Sequence, residues 1–202
     1  PVEPRYTIEH AEGLLKLMRP CSYNEMLQIN EHVTIRFNDA GHLLGSASIE
    51  VWLLEDNEER KVLFSGDVGN INQPIICDPI LLKKADYVVM ESTYGDRNHQ
   101  EVWSYTSELA KVIDRTLGRG GNVIIPAFAV GRTQELLYLI RTIKEQGLIR
   151  GHEGFPVYVD SPLAVEATRL YADDDAMKPY YDAETLELLA QGINPIAFPG
   201  LR

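Results

Sequence analysis

The sequence predicts a mixed α/β fold in two parts: antiparallel strands over residues 1–95, then helices alternating with a mainly parallel sheet over residues 96–202. Two observations carry this. From Val33 the apolar period is two, and segments rich in β-branched residues follow one another closely, as strands of a meander do. After about residue 96 strand-like runs alternate with helical ones, which implies right-handed βαβ crossovers.

Taken in order, Thr7 and Glu9 with the apolar spacing Ile8, Leu14, Leu15, Leu17 and Met18 predict a capped amphipathic helix that stops at Pro20. Val33–Phe37, Ala47–Leu54 and Lys61–Ser65 predict strands, and the polar run Glu55–Glu59 a hairpin loop between the last two. Tyr87–Met90 is a further apolar strand ending at Glu91. A helix is expected from about Gln100 to Leu117, a strand at Val123–Pro126, a helix at about Thr133–Gln146 and a strand at Val157–Asp160. Helical segments at about 163–172 and 183–191 complete the pattern, and Asp173-Asp174-Asp175 reads as a solvated helix end or loop.

Composition narrows the class. The chain has 202 residues, 45% hydrophobic and 24% charged, with 30 acidic against 19 basic side chains and a net charge of −11. That is the composition of a water-soluble globular chain. It lacks a run of 18 apolar residues and a basic n-region before an apolar stretch, so neither a membrane span nor a signal peptide is expected and the default location is cytoplasmic. Cys21 and Cys77 have no CxxC partner, which argues against a cysteine zinc knuckle or a disulfide framework and reads as two ordinary buried thiols. The chain starts at Pro1 rather than Met, which suggests a piece of something longer.

Three strand-end loops could carry chemistry. In Asp39–Ser46, Gly41 and Gly45 let the backbone turn sharply and leave His42 on a constrained loop. Taken alone, a single His is more commonly structural than a ligand. In Ser65–Gly69 an apolar strand delivers Asp67 into a glycine-flanked turn, where a turn-capping role serves equally well. Glu91 ends an apolar strand, and a carboxylate there needs a cation, a histidine or backbone donors. These donor types suit zinc or manganese, yet they amount to part of a site, since catalytic zinc takes three protein ligands plus water.

In that order and spacing, GHLLGS at 41–46, SGDVG at 65–69 and ESTYGDR at 91–97 resemble motifs 3, 4 and A of the β-CASP branch of the metallo-β-lactamase superfamily, a group of RNA-processing nucleases. GGNVIIPAFAVGRTQELLYLI at 120–140 and VYVDSPLAVEAT at 157–168 resemble the branch's cap domain, so the likeness covers nearly the whole chain. It implies part of an αββα sandwich over residues 1–95, a β-CASP cap over 96–202, and cleavage in the groove between them. It also implies that His42 binds one metal, that Asp67 bridges two zinc ions (manganese is the alternative), and that Glu91 orients a histidine that protonates the leaving oxygen. The substrate implied is RNA, with a homodimer or an RNA-processing complex as partner.

Departures qualify the likeness. The family's HxHxDH motif and the histidines of motifs B and C are absent, and His10, His32, His99 and His152 match none of them. The expectation is therefore the middle of a larger enzyme, inactive as an isolated piece. Arg132, at a helix start in Gly131-Arg132-Thr133, reads equally as an RNA-phosphate contact or a surface ion pair. Ser161, before Pro162, reads as an N-cap, with a substrate contact implied by the family cleft. Tyr94 and Tyr171 could stack bases or simply pack.

Two rival functions stand beside RNA hydrolysis: an inactive scaffold subunit, and a DNA-directed or small-molecule hydrolase of the same superfamily. The acidity bears on RNA but does not exclude it. Residues 1–95 hold 8 basic and 15 acidic side chains and residues 96–202 hold 11 and 15; part of the first deficit is expected if carboxylates there face divalent ions.

Overall fold

A computed structural model describes residues 4–98, 105–173 and 175–202. A short helix, α1 (Ile8–Leu15), precedes a five-stranded sheet of β1 (Leu27–Gln28), β2 (Val33–Asp39), β3 (Ala47–Glu55), β4 (Glu58–Phe64) and β5 (Tyr87–Val89), hydrogen-bonded in that order. Four helices follow: α2 (Tyr105–Gly118), α3 (Arg132–Glu145), α4 (Pro162–Asp173) and α5 (Ala183–Ala190), with a 3-10 turn Asp175–Tyr180 before α5. The mixed α/β class holds.

The meander forms as the alternation dictates. β2, β3 and β4 pair antiparallel, with Asp39 opposite Ala47 and Ile49 opposite Phe64. The hairpin loop is tighter than the polar run suggested: Glu55 still pairs with Glu58, and Asp56 and Asn57 alone make the turn, with φ of 51° and 60°. Asp and Asn tolerate that left-handed backbone, which matches the twist of the flanking strands. β5 instead runs parallel to β4, because residues 65–86 cross over before the chain returns.

Sheet alternation also places a carboxylate where none would be stable alone. Glu50 is 1% exposed. Arg36 Nη2 lies at 2.6 Å, Asn38 donates at 3.0 Å, and Lys61 Nζ completes the cage. Burial by itself would raise the Glu50 carboxyl, but the hydrogen bonds from Lys61, Arg36 and Asn38 bring it below the ordinary range. The two cations also flank Trp52, at 5.3 and 5.2 Å from its ring. Removing either partner from such a buried pair is costly, which fixes the register of β2, β3 and β4.

The second part departs from expectation in its sheet. Residues 123–126 and 157–160 form no strand, and the described residues make one parallel bridge there, Val157 with Leu201. Val159 N–H donates to Arg202 O at 3.0 Å and Arg202 N–H to Val157 O at 2.9 Å, whereas Ile124 is 90% exposed. The reason is pairing: residues 200–202 give the later segment a neighbour, and among the described residues 123–126 has none. The expected mainly parallel sheet is therefore not formed by these residues.

Other boundaries also shift. α1 ends at Leu15, short of Pro20, and its apolar residues Leu14 and Leu15 stay exposed. Residues 99–104, where the second helix was expected to begin, and Asp174 lie outside the described residues. Asp173 ends α4, as a helix terminus should. Cys77 is half-buried, its thiol donating to Tyr181 O at 3.2 Å, but Cys21 is exposed rather than buried; both are free thiols.

The main core sits among the helices, and the first part reaches into it. Ile75 packs with Leu137, Tyr138, Tyr171, Tyr181 and Ile196. It keeps a left-handed φ of 82°, unusual for a β-branched residue, because Asp182 pins it twice: Ile75 N–H donates to Asp182 Oδ2 and Asp182 N–H to Ile75 O, both at 3.0 Å. Asp182 also caps α5 by accepting from Thr185 N–H at 2.7 Å. One carboxylate thus starts a helix and ties the crossover to it.

Candidate functional site

The strand ends bring three loops to one edge of the sheet. β2 leaves at Asp39, β3 begins at Ala47, and β4 and β5 end at Phe64 and Val89, all at the same end by register. His42, Asp67 and Glu91 follow from these ends. Ser65, 6% exposed, ties them together: its N–H donates to Val89 O, its carbonyl accepts from Ser48 Oγ, and its hydroxyl accepts from Glu91 N–H.

The loops touch backbone to backbone. Gly69 N–H donates to Ala40 O at 2.8 Å, and a Cβ on Gly69 would fall 1.6 Å from Gly41 O. Gly41 itself has φ of 61°, and a Cβ there would meet Pro79 N at 2.5 Å. Only glycine fits either place. Ser46 Oγ then accepts from both His42 N–H and Leu43 N–H at 3.1 Å, closing the loop and leaving the imidazole exposed. Asp39 Oδ1 caps the same loop by accepting from Gly41 N–H at 2.8 Å, while burial pushes its carboxyl up.

Glu91 holds the second loop. Its Oε2 accepts from Thr93 Oγ1 at 2.7 Å and its Oε1 from Val68 N–H at 2.8 Å, next to exposed Asp67. Those two hydrogen bonds, Thr93 first, lower the Glu91 carboxyl below its ordinary range, and His42 adds a smaller attraction. Each carboxylate oxygen carries one of these hydrogen bonds and keeps a further lone pair for another donor. Through Val68 the carboxylate also positions the backbone turn that carries Asp67.

A cleft of about 620 Å³ opens beside His42, walled by Tyr94, Phe128, Arg132, Glu135 and Tyr171. Leu43 and Gly131 close its floor: the space a Gly131 side chain would need is filled by Leu43 Cδ2. The start of α3 is tightly bonded. Gly131 N–H donates to Gln134 Oε1 at 2.7 Å, Arg132 N–H to Val130 O at 3.2 Å and Thr133 N–H to Phe128 O at 3.3 Å. These three donors are used internally, so the free N–H groups expected there for phosphate are not available. Arg132 forms the surface ion pair, with Glu135 at 2.7 Å, its side chain still 56% exposed. Burial raises the Glu135 carboxyl, and Arg132 partly offsets this.

Thus His42 and Arg132 share the cleft, and Asp67 and Glu91 lie on the adjoining loops. Ser161 does not join them. Its hydroxyl accepts from Ala164 N–H at 3.2 Å as the N-cap of α4, and it lines a separate groove of about 680 Å³. Tyr171 is buried at 4% exposure and packs, whereas Tyr94 is half-exposed with the Arg97 guanidinium 5.0 Å above its ring. Sequence reasoning missed Ser65, Ser46 and Phe128. The serines had a signal, a hydroxyl beside a glycine turn; Phe128 had none beyond preceding a helix start.

His42 and Asp67 are donor types zinc accepts. Yet among the described residues no three His, Cys, Asp or Glu side chains converge closely enough to hold an ion.

Gly69→Ala must separate the loops by displacing backbone, and is expected to cost about 3 kcal/mol. Gly45→Ala, at a φ of 80° with open space around it, should cost only about 1 kcal/mol of backbone strain, and urea unfolding of both variants checks the order. Glu91 gives a pH signature. Because its folded pKa is lowered, its contribution is present above the ordinary carboxylate pKa and lost as pH falls through the folded value. The stability gap between the wild type and Glu91→Gln should be widest near neutrality and close as pH falls through the lowered folded value, read from urea midpoints across the acid range.

The model of the Beta-Casp domain matches residues 133–202. Ribonuclease TTHA0252 of Thermus thermophilus is 36% identical over 98% of this chain and 43% of its own length. An RNase J-like protein of Methanocaldococcus jannaschii is 32% identical over 82% of this chain and 38% of its length. Transcription termination factor FttA of Thermococcus kodakarensis is 30% identical over 98% of this chain and 30% of its length. The chain therefore spans less than half the length of these curated relatives. A family domain over α3 to the C-terminal residues, together with relatives that align along nearly the whole chain, shows that this chain belongs to the β-CASP family.

Proposed function

We propose that the protein is a metal-dependent RNA hydrolase and that this chain supplies its substrate cleft and part of its metal ligands. The observation that carries the reading is the shared cleft: His42 on the strand-end loop and Arg132 at the start of α3 line one wall system, with Asp67 and Glu91 on the adjoining loops. Relatives named ribonuclease and RNase J-like support RNA as the substrate. His42 and Asp67 are the residues that would donate to zinc or manganese, which supplies a nucleophilic water when bound.

The chain's own residues have definable tasks. Ser46 fixes the loop that carries His42, and ionised Glu91 holds the Val68 N–H and so the aim of Asp67. The half-exposed Arg132 guanidinium offers the cleft a positive charge for a phosphate, in exchange with Glu135. No helix of the described residues is long and apolar enough to cross a membrane.

A matched assay on single-stranded RNA, DNA of the same sequence and nitrocefin tests the reading, with zinc measured by mass spectrometry after dialysis. For the 202-residue chain the expected result is RNA binding without cleavage, no turnover of nitrocefin, and less than stoichiometric zinc. Hydrolysis of nitrocefin would contradict the substrate class. Tightly held stoichiometric zinc with RNA cleavage abolished by His42→Ala would contradict the partial ligand set.

A further inference from the structure

We propose that Phe128 is a base-stacking platform of the cleft, holding a nucleobase of the substrate against its ring beside His42. The inference rests on the RNA reading above and assigns that site a specific contact. Phe128 is 86% exposed, although a phenylalanine side chain gains from leaving water. The ring lines the same cleft as His42, Tyr94 and Arg132.

The backbone beneath this exposed ring is held firmly. Phe128 O accepts from Thr133 N–H at 3.3 Å and from Thr133 Oγ1 at 2.7 Å. Gln134, fully buried, donates to Ala129 O at 3.1 Å and accepts from Gly131 N–H at 2.7 Å. The segment 128–134 is therefore a closed knob on the first turn of α3, and the backbone that carries the ring is held before any ligand arrives. Ordering is the main entropic cost of a contact, so a ring on a backbone held in advance makes a better platform than one on a free loop.

The chemistry around it selects the ligand. The three N–H groups at the start of α3 are internally satisfied, so this wall does not hold phosphate through its backbone. What remains is an apolar face beside one half-exposed guanidinium. A flat, sequence-tolerant π surface beside a single cation fits one nucleotide, the base on Phe128 and its phosphate toward Arg132. A duplex, whose bases are already stacked, would not offer that face.

Fluorescence anisotropy on the full 202-residue chain tests this with three probes of equal length: oligoadenylate, oligouridylate and an abasic ribose-phosphate chain. Phe128→Ala is expected to weaken oligoadenylate binding about 10-fold, to weaken oligouridylate less, and to leave the abasic probe unchanged. Phe128→Trp should restore oligoadenylate binding. Because the ring is exposed, both variants should melt with the wild type. Oligoadenylate affinity for Phe128→Ala within about twofold of the wild type overturns the proposal, as does equal loss on the abasic probe. A wild type that binds all three probes alike overturns it while leaving the RNA reading intact; a wild type that binds none overturns both.

Discussion

The contact between Gly69 and Gly41 is the constraint on which the site depends. Two loops from different strand ends meet there with no side chain between them, and the Gly69 N–H to Ala40 O bond locks the approach. A β-carbon at Gly69 would occupy the position of the Gly41 carbonyl oxygen. This closeness lets His42, from the loop after β2, and Asp67, from the loop after β4, project from one end of the sheet. Ser65 and Glu91 then bind the end of β5 to the same cluster.

The second constraint is the tie between the crossover and the helices. Ile75 is driven into the helical core by burial and held in a left-handed backbone by its two hydrogen bonds with Asp182. That anchorage sets the first part against α3, so that Leu43 fills the space beside Gly131 and the cleft acquires its second wall. The site is thus a product of packing between the parts as much as of its own loops. Charge follows the same logic: Glu91 stays ionised through local donors, and Arg132 keeps its partner at hand.

Much of this was legible in residues. Period-two alternation gave β2, β3 and β4, and glycines flanking His42 and Asp67 marked loops built for close approach. The hairpin was legible too, though its two-residue turn shows only in the pairing of Glu55 with Glu58. What was not legible depended on long-range partners. Val123–Pro126 has a strand's composition, but composition cannot say whether a neighbour stands beside it. The use of the backbone donors at the helix start was not legible for a similar reason, since Gly131, Arg132 and Thr133 spend their N–H groups on Gln134, Val130 and Phe128. The N-cap role of Ser161 was legible in its position before Pro162.

Photocrosslinking with 4-thiouridine RNA, mapped by mass spectrometry on the full chain, tests most directly whether the strand-end loops and the start of α3 form one RNA site. The account predicts crosslinked peptides on both sides of the cleft, one from the loop containing His42 or Tyr94 and one containing Phe128. Crosslinks confined to the β3–β4 hairpin, or to the groove lined by Ser161, would contradict it.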